Sequence, residues 1–332
     1  MKKYSIVISA LLILLLVFIN ISGCKKPVNP IKYTQGTFPD SVYNLKGLNT
    51  QYDDYNSALF VLGGTLPIVF SSNRGSSGGQ FDLVQGSISY SFDQKTGAFT
   101  LASNMTNDLF TTSLISSANT SGNDYGPLSL FSTSDGNDYL MLASQNGGQL
   151  LDLYYLKYQP QFNNNMPIVH GPYPVKLLNS SKNDAYITFN SNQDSAYFTS
   201  DINGNYDILV HSRPAGIMLD AWLNQNYSSS TPADSVNSSY DDKCPFILNN
   251  VMVFTSNRPG GMGGFDLYYS IFKNGKWNAP VNMGPKINSS LDEYRPVLGY
   301  DPQYKNLFLI FSSNKSGGIG GFDLYFTGFN VP

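Results

Sequence analysis

The sequence predicts an all-β protein, a five-bladed β-propeller whose last blade is closed by a strand from the N-terminus. Three observations lead to this prediction. Charged residues make up only 13% of the 332-residue chain, whereas aromatic residues make up 14% and glycines number 30, a composition typical of short strands and tight turns. A strand–turn–strand motif recurs along the chain. Its last copy lacks an outer strand that a segment near the N-terminus can supply.

The recurring motif is clearest at residues 253–270, which read VFTSNRPGGMGGFDLYYS. A strand leads into a turn with four glycines and a proline, and an aspartate opens the next strand. Related segments occur near both ends of the chain and, in weaker form, twice between them. The aspartates at the equivalent position are Asp82, Asp152, Asp207, Asp266 and Asp323.

A second element precedes each copy and combines small polar residues with an acidic or amide pair. It reads NSSYDD at residues 237–242 and NSSLDE at residues 288–293, with looser versions at 49–54, 120–124 and 179–184. An apolar strand follows most of these elements. The complete unit has four strand-sized segments in about 50 to 70 residues, which is the period of a propeller blade. Five such units predict five blades.

The two ends of the chain are expected to share one blade. The fifth unit reaches Pro332 directly after its third strand and has no outer strand. Residues 38–49, FPDSVYNLKGLN, match the missing strand in their position before the first acidic pair. Pairing them with the fifth unit would remove two open sheet edges. A single short helix is expected within residues 216–226, between the third and fourth units.

Residues 1–23 have the features of an export signal, with Lys2 and Lys3 before an apolar run that ends in small residues. The end of this segment, ISGC, resembles the bacterial lipobox. This resemblance implies that Cys24 carries lipid, that residues 24–37 form a tether from a membrane surface, and that residues 38–332 form the propeller. The resemblance favours the outer membrane of the cell envelope, because Lys25 follows the cysteine. A cleaved signal with an incidental cysteine is the alternative.

Charge and residue counts exclude several function classes. Removal of residues 1–23 leaves 18 basic and 23 acidic side chains, a net charge of −5, which gives no electrostatic basis for nucleic-acid binding. With Cys24 acylated, Cys244 has no disulfide partner. The two histidines, His170 and His211, are too few for a three-histidine zinc site, and the chain has no nucleophile elbow. No cofactor is expected.

The glycine-rich turn has a structural interpretation and two functional rivals. A phosphate-binding loop requires a following helix, whereas FDLYY at residues 265–269 is a strand pattern, and the loop recurs in every unit. Glycines at turn positions with positive φ explain the motif better. The aspartate is then expected to accept hydrogen bonds from the turn amides. A calcium site in each turn remains a rival, although the turns offer few oxygen ligands.

Three segments carry a resemblance to a known family. They are residues 253–270, residues 310–327 (IFSSNKSGGIGGFDLYFT) and residues 277–298 (WNAPVNMGPKINSSLDEYRPVL). They resemble the TolB-type, WD40-like repeat propellers of the bacterial cell envelope. The resemblance implies a propeller that binds an envelope protein or a glycan and that brings no shared catalytic residues. The main functional hypothesis is therefore a membrane-anchored lipoprotein whose propeller is a non-catalytic binding platform.

The candidate binding residues follow from the acidic elements. If each element opens an innermost strand, its last carboxylate lies at one mouth of the central channel, where a ring of carboxylates would recruit a cation or a polyhydroxylated ligand. These carboxylates are Asp54, Asp124, Asp184, Asp242 and Glu293. The following positions add Tyr55, Tyr125, Tyr294 and Arg295, which suit protein or glycan contacts.

Each candidate also has a structural alternative. A feature present in every blade favours a structural role, in which the carboxylates cap strand starts or pair with Arg74, Arg258 and Lys315. Trp222 is either an exposed anchor or a packing residue, and Cys244 is expected to be a small buried thiol. The alternative function is a carbohydrate-active five-bladed enzyme, a glycoside hydrolase using inner-strand carboxylates.

Overall fold

The computed structural model describes residues 31–59, 66–159 and 168–331. Within these ranges the strands form five antiparallel sheets, and the first strands of neighbouring sheets contact one another in a closed circle. Each sheet is a blade, with its first strand innermost. The predicted five-bladed β-propeller is therefore confirmed.

The strands follow the chain order of the repeats. The N-terminal strand is β1 (Tyr43–Asn44). Blade 1 contains β2 (Asp54–Leu59), β3 (Leu66–Ser72), β4 (Asp82–Phe92) and β5 (Phe99–Met105). Blade 2 contains β6 (Asp124–Phe131), β7 (Asp138–Ser144), β8 (Asp152–Gln159) and β9 (Ile168–Pro174). Blade 3 contains β10 (Asp184–Phe189), β11 (Ser195–Ser200), β12 (Asp207–Ser212) and β13 (Thr231–Pro232).

The last two blades differ at their outer edges. Blade 4 contains β14 (Asp242–Leu248), β15 (Val251–Ser256), β16 (Asp266–Lys273), β17 (Lys276–Trp277) and β18 (Val281–Asn282). Both short strands pair with β16. Blade 5 contains β19 (Glu293–Gly299), β20 (Leu307–Ser313) and β21 (Asp323–Phe329).

The N-terminal strand closes the ring as predicted. Strand β1 pairs antiparallel with β21, with Tyr43 opposite Phe326, and so supplies the outer strand of blade 5. Phe38, just before β1, is 1% exposed and stacks on the ring of Tyr304 with centroids 3.8 Å apart. Closure therefore combines strand pairing with an aromatic core between the two chain ends.

Two helices lie between the blades. Helix α2 (Leu219–Leu223) lies within the predicted segment and packs Leu219, Trp222 and Leu223 into the core between blades 2 and 3. Helix α1 (Leu109–Ala118), between blades 1 and 2, was not predicted. Asp108 caps it by accepting a hydrogen bond from the backbone N–H of Thr111 at 2.9 Å. The serines and threonines in α1 have low helix propensity, so its formation depends on burial of its apolar face.

Both faces of each blade are buried against neighbouring blades. In β3, Ile68 packs into the core shared with blade 5, where it joins the cluster that contains Phe308. The next residue, Val69, packs into the core shared with blade 2, in the cluster that contains Leu140. Because successive side chains point to opposite faces, the middle strands read as unbroken apolar runs.

An asparagine joins each blade to the one before it. The side-chain oxygen accepts a hydrogen bond from a backbone N–H of the preceding blade's third strand at 2.7–2.8 Å, and the side-chain nitrogen donates to the carbonyl of the same residue at 2.8–3.1 Å. We call this pair of bonds the asparagine clamp. The clamp residues are Asn49, Asn119, Asn179, Asn237 and Asn288. The clamp explains why asparagine begins four of the acidic elements and directly precedes the one at residues 120–124.

The predicted signal peptide and Cys24 lie outside the described residues. Three residues of the predicted tether, Lys32, Tyr33 and Gly36, form backbone hydrogen bonds with residues of the propeller. In the part of the chain that the structure describes, no helix has the length and apolarity needed to cross a membrane.

Candidate functional site

The glycine-rich turns of blades 4 and 5 are held by their aspartates. Asp266 accepts hydrogen bonds from the backbone N–H groups of Met262 and Gly263, at 2.5 and 3.2 Å. Asp323 accepts the equivalent two bonds in blade 5. One glycine of each turn, Gly260 in blade 4 and Gly317 in blade 5, has the predicted positive φ, at 88° and 87°. The structural interpretation of the motif is confirmed for these turns. Their carboxylate oxygens already accept amide protons, so a cation would have to displace those bonds.

The five inner-strand carboxylates open the first strands as expected, but their side chains are fully buried. Each accepts a hydrogen bond from the backbone N–H four residues earlier, at 2.5–2.9 Å. They therefore cap the turn before each blade, which is the structural role predicted as the alternative to ligand binding. The expected open ring of carboxylates at the mouth is not formed by Asp54, Asp124, Asp184, Asp242 and Glu293. The physical reason is that their oxygens are committed to the strand-start turns.

The capping carboxylates differ in their basic partners. Arg74 pairs with Asp54 at 2.5 Å, and Arg258 pairs with Asp242 in the same way. Blade 2 has no such partner for Asp124 among the described residues, and burial raises the pKa of this carboxyl group. Burial likewise raises the pKa of Asp184 and of Glu293. The five sites thus share a geometry but differ in their basic partners.

The residue before each capping carboxylate bridges two blades. Its side-chain oxygen accepts the backbone N–H of the residue just before the third strand of the preceding blade, at 2.8–3.0 Å. These bridging residues are Asp53, Asn123, Asn183, Asp241 and Asp292. Unlike the capping carboxylates, they are partly exposed. The accessible carboxylates at this face are therefore the bridging ones, which the sequence analysis did not single out.

An aromatic cavity of about 400 Å³ lies where the inner strands begin. We call this cavity the funnel. Its aromatic lining residues are Tyr55, Tyr186, Tyr206, Phe265, Tyr294 and Phe322. The structure places Tyr55 and Tyr294 in this wall, as the sequence predicted for the mouth. Tyr125 packs behind it, with its ring centroid 5.8 Å from that of Tyr55.

Polar groups in the funnel are few and defined. The Nζ atom of Lys243 lies 4.2 Å from the ring centroid of Tyr206 and 3.2 Å from a carboxylate oxygen of Asp241. Asp292 also lines the funnel. Burial raises the pKa of Tyr206 to about 12, so this phenol keeps its proton at neutral pH. The funnel offers flat aromatic faces, one ammonium group and the carboxylate of Asp292.

A β-bulge interrupts every inner strand below the funnel. The register shifts two residues after the capping carboxylate, and the residue there has a left-handed backbone with φ between 47° and 57°. The five bulge residues are Asn56, Gly126, Tyr186, Cys244 and Arg295. These bulges were not predicted from the sequence. The signal that could have shown them is Gly126-Pro127, since a glycine inside a strand often marks a bulge.

Arg295 lies inside the channel and not at its mouth. It is 0% exposed, and its guanidinium donates to the carbonyl oxygens of Pro127 in blade 2 at 3.1 Å and Pro245 in blade 4 at 3.2 Å. The bulge turns this side chain across the axis, which is why the expected mouth position is wrong for Arg295. One side chain thus ties three blades together and separates the funnel from the opposite end of the channel.

The remaining candidates are structural. Cys244 is fully buried as predicted, and burial raises the pKa of its thiol to about 12. Trp222 is 1% exposed, so it is a packing residue and not an exposed anchor. His170 lies in outer strand β9 and His211 in β12. Neither histidine lines the funnel.

Comparison with known proteins finds similarity in structure only. No family model and no curated protein matches the chain. A thermostable family-43 glycoside hydrolase superposes with a TM-score of 0.52 at 11% identity, covering 84% of this chain and 90% of that one. The endo-arabinase from Bacteroides thetaiotaomicron gives 0.52 at 11% identity, covering 90% and 98%. An exo-1,5-α-L-arabinanase from a bovine ruminal metagenomic library gives 0.52 at 8% identity, covering 87% and 97%. At these identities the likeness shows a common fold.

These comparisons correct two expectations. The predicted membership in the TolB-type, WD40-like family is wrong, because the similar structures are glycoside hydrolases and no family model matches. The hypothesis of a non-catalytic binding platform rested on that resemblance and is overturned with it. The repeated residues that suggested the family are the ones that form turns, caps and interblade bonds, and such residues report on blade construction rather than on function.

Proposed function

We propose that the protein is a carbohydrate-active propeller, a glycoside hydrolase that binds its glycan in the funnel. The observation that carries this proposal is the aromatic cavity with Lys243 and Asp292 in its wall. It supports a sugar ligand because aromatic faces suit the C–H faces of sugar rings, and charged groups suit hydroxyls. The same fold occurs in an endo-arabinase and an exo-1,5-α-L-arabinanase.

Asp292 and Asp241 are the proposed catalytic pair. Glycoside hydrolysis requires one carboxylic acid that protonates the leaving oxygen and a second, ionised carboxylate on the other side of the bond. Asp241 is the proposed second carboxylate, and one of its oxygens lies 3.2 Å from Nζ of Lys243. Asp292 lines the funnel and is assigned as the proton donor, a role that requires it to exchange a hydrogen bond that it accepts, from the N–H of Phe265 at 2.9 Å or from Asn314 at 3.2 Å, for one to the leaving oxygen. The fully buried capping carboxylates are excluded from this role because substrate cannot reach them.

Hydrolysis of a polysaccharide panel that includes arabinan tests the proposal. We expect release of reducing sugar from at least one polysaccharide and a loss of about 100-fold or more in Asp292→Asn, because general acid catalysis contributes that much. Asp323→Asn is the matched control, since Asp323 holds a turn outside the funnel. No release from any member of the panel, or release that survives in both Asp292→Asn and Asp241→Asn, would contradict the proposal.

Two lysines that lie over tyrosine rings, one in the funnel and one outside it, test where the glycan binds. Lys243 lies over Tyr206 in the funnel, whereas Lys315 lies over Tyr325 in blade 5, with the same 4.2 Å from Nζ to the ring centroid. We expect Lys243→Met to weaken glycan binding about tenfold and Lys315→Met to leave it unchanged, because only the first faces the ligand. Isothermal titration with the best oligosaccharide of the panel measures both. Equal losses in the two variants would argue against the funnel as the glycan site.

A further inference from the structure

The channel has a second cavity at the end opposite the funnel. It has a volume of about 310 Å³ and is lined by later residues of the inner strands. Its wall is mainly apolar and includes Leu128, Phe246, Leu248, Val297 and Phe308. Arg295 and Ser57 are its buried polar side chains, and both are 0% exposed. This cavity is not used by the proposed glycan-binding function.

Arg295 carries a buried positive charge without a counter-ion among the described residues. None of the ion pairs within residues 31–59, 66–159 and 168–331 includes it. Its two hydrogen bonds go to neutral carbonyl oxygens, its Cζ atom lies 5.6 Å from the ring centroid of Tyr186, and its Nε atom has no hydrogen-bond partner. Buried charges in proteins are normally paired, because an unpaired one loses its hydration without compensation. An arginine remains protonated even where burial lowers its pKa, as it does here.

A second polar atom in the same wall is also unsatisfied. The hydroxyl of Ser57 has no hydrogen-bond partner within the described chain. Ser57 lies in the bulge of blade 1, and Arg295 is the bulge residue of blade 5, which is the neighbouring blade. Two unsatisfied donors in one apolar cavity fit a ligand that has a small anionic head with two acceptor oxygens and an apolar body.

We propose that this cavity binds a small aliphatic monocarboxylate, with its carboxylate facing Arg295 and Ser57 and its chain among the apolar side chains. A cavity of about 310 Å³ is at the lower end of the size range of ligand pockets, so the ligand has few carbon atoms. A phosphate or sulfate fits less well, because its further oxygens would face the apolar wall unpaired.

Isothermal titration with butyrate, hexanoate and hexan-1-ol tests the proposal on the full propeller. We expect hexanoate to bind, affinity to increase roughly fourfold per added methylene, and hexan-1-ol to bind at least about tenfold more weakly than hexanoate. Inorganic phosphate should not compete. Equal binding of the alcohol, stronger binding of phosphate, or no heat with any carboxylate would each overturn the proposal.

Variants at both ends of the channel locate the site. Leu248→Trp fills the cavity and keeps Arg295, so it should abolish hexanoate binding, whereas Tyr206→Ala at the funnel should leave it unchanged. Arg295→Gln should weaken hexanoate at least about tenfold while hexan-1-ol is unaffected. Because Arg295 also ties three blades together, Arg295→Gln is used only if its thermal unfolding shows that it is folded. If Arg295→Gln is not folded, Leu248→Trp alone tests the location of the hexanoate site. Unchanged hexanoate binding in Leu248→Trp would place the ligand elsewhere.

Discussion

Asn288 binds the backbone of Leu267 at both of its polar groups, accepting the N–H at 2.8 Å and donating to the carbonyl at 3.0 Å. The two residues belong to adjacent blades, so the contact supplies a strand-like pair of bonds where no strand is present. Five such clamps surround the ring. Together with the bridging residues they replace a continuous sheet as the connection between blades.

Removing one clamp should destabilise the whole ring. We expect Asn288→Ala to lower the free energy of unfolding by about 1–3 kcal/mol, because it leaves the buried N–H of Leu267 unpaired, whereas the carbonyl of Leu267 keeps its bond from the N–H of Met283 at 3.0 Å. Ser290→Ala, at an exposed position two residues away, should change it by less than about 0.5 kcal/mol. Urea denaturation of the two variants measures the difference. If Asn288→Ala were as stable as Ser290→Ala, the two clamp bonds would make no net contribution to the free energy of unfolding.

The capping carboxylates should respond differently to neutralisation according to their partners. Asp54→Asn leaves Arg74 without its carboxylate, and we expect a loss of about 3 kcal/mol. Asp124→Asn removes a buried charge that has no basic partner among the described residues and should cost less than about 1 kcal/mol at neutral pH. Chemical denaturation at pH 7 compares them. Equal losses would contradict the role assigned to Arg74.

The difference in stability between Asp124→Asn and the wild type should change with pH in one direction. Burial raises the pKa of Asp124 in the folded protein above its ordinary value of 3.8, so the folded state binds this proton more tightly than the unfolded state. The stabilisation that results from this tighter proton binding is present below pH 3.8 and is lost as the pH rises through the pKa of Asp124 in the folded protein. Asp124→Asn should therefore gain stability relative to the wild type as the pH rises from 3.8 to neutrality. Denaturation at several pH values follows this difference, and the opposite trend would refute the assignment.

Ring closure should depend on Phe38. Its side chain is 1% exposed and contacts rings of blade 5 and blade 1, including Tyr304 and Tyr90. We expect Phe38→Ala to cost about 3–5 kcal/mol, the usual effect of removing a buried phenyl ring. Tyr43→Ala, in the closing strand but 38% exposed, should cost far less. Thermal unfolding compares the two. A small effect at Phe38 would mean that strand pairing alone closes the ring.

Membrane attachment through Cys24 remains a prediction, since this residue lies outside the described part of the chain. We expect incorporation of labelled palmitate into the protein expressed in a bacterial host that modifies lipoproteins, and its loss in Cys24→Ser. Detergent-free fractionation should then move the variant from the membrane to the soluble fraction, because the acyl chains provide the binding energy. Cys244→Ser is the control, as that thiol is buried in the propeller. Label in Cys24→Ser would place the lipid on another residue.

The sequence by itself determined the number of blades, the closure by residues 38–49 and the role of the aspartates in the turns of blades 4 and 5. These features are local, because the turn aspartates of blades 4 and 5 bond to backbone groups at a fixed sequence offset and the clamp asparagines bond to the same position of the adjacent repeat. Repetition makes such contacts visible as a pattern. Helix α1 escaped prediction because its serines and threonines carry no helical signal, and burial against blades 1 and 2 decides its structure.

The tertiary structure alone decided which polar groups face the channel. The carboxylate of Asp54 and the guanidinium of Arg295 occupy neighbouring positions in the repeat, yet the first is used in a turn and the second crosses the axis. A bulge of one residue in each inner strand sets these directions, and its effect depends on the strands beside it. The spacing of residues within a repeat does not reveal the directions in which the bulge turns these side chains. The funnel and the second cavity arise only when five strands meet around one axis.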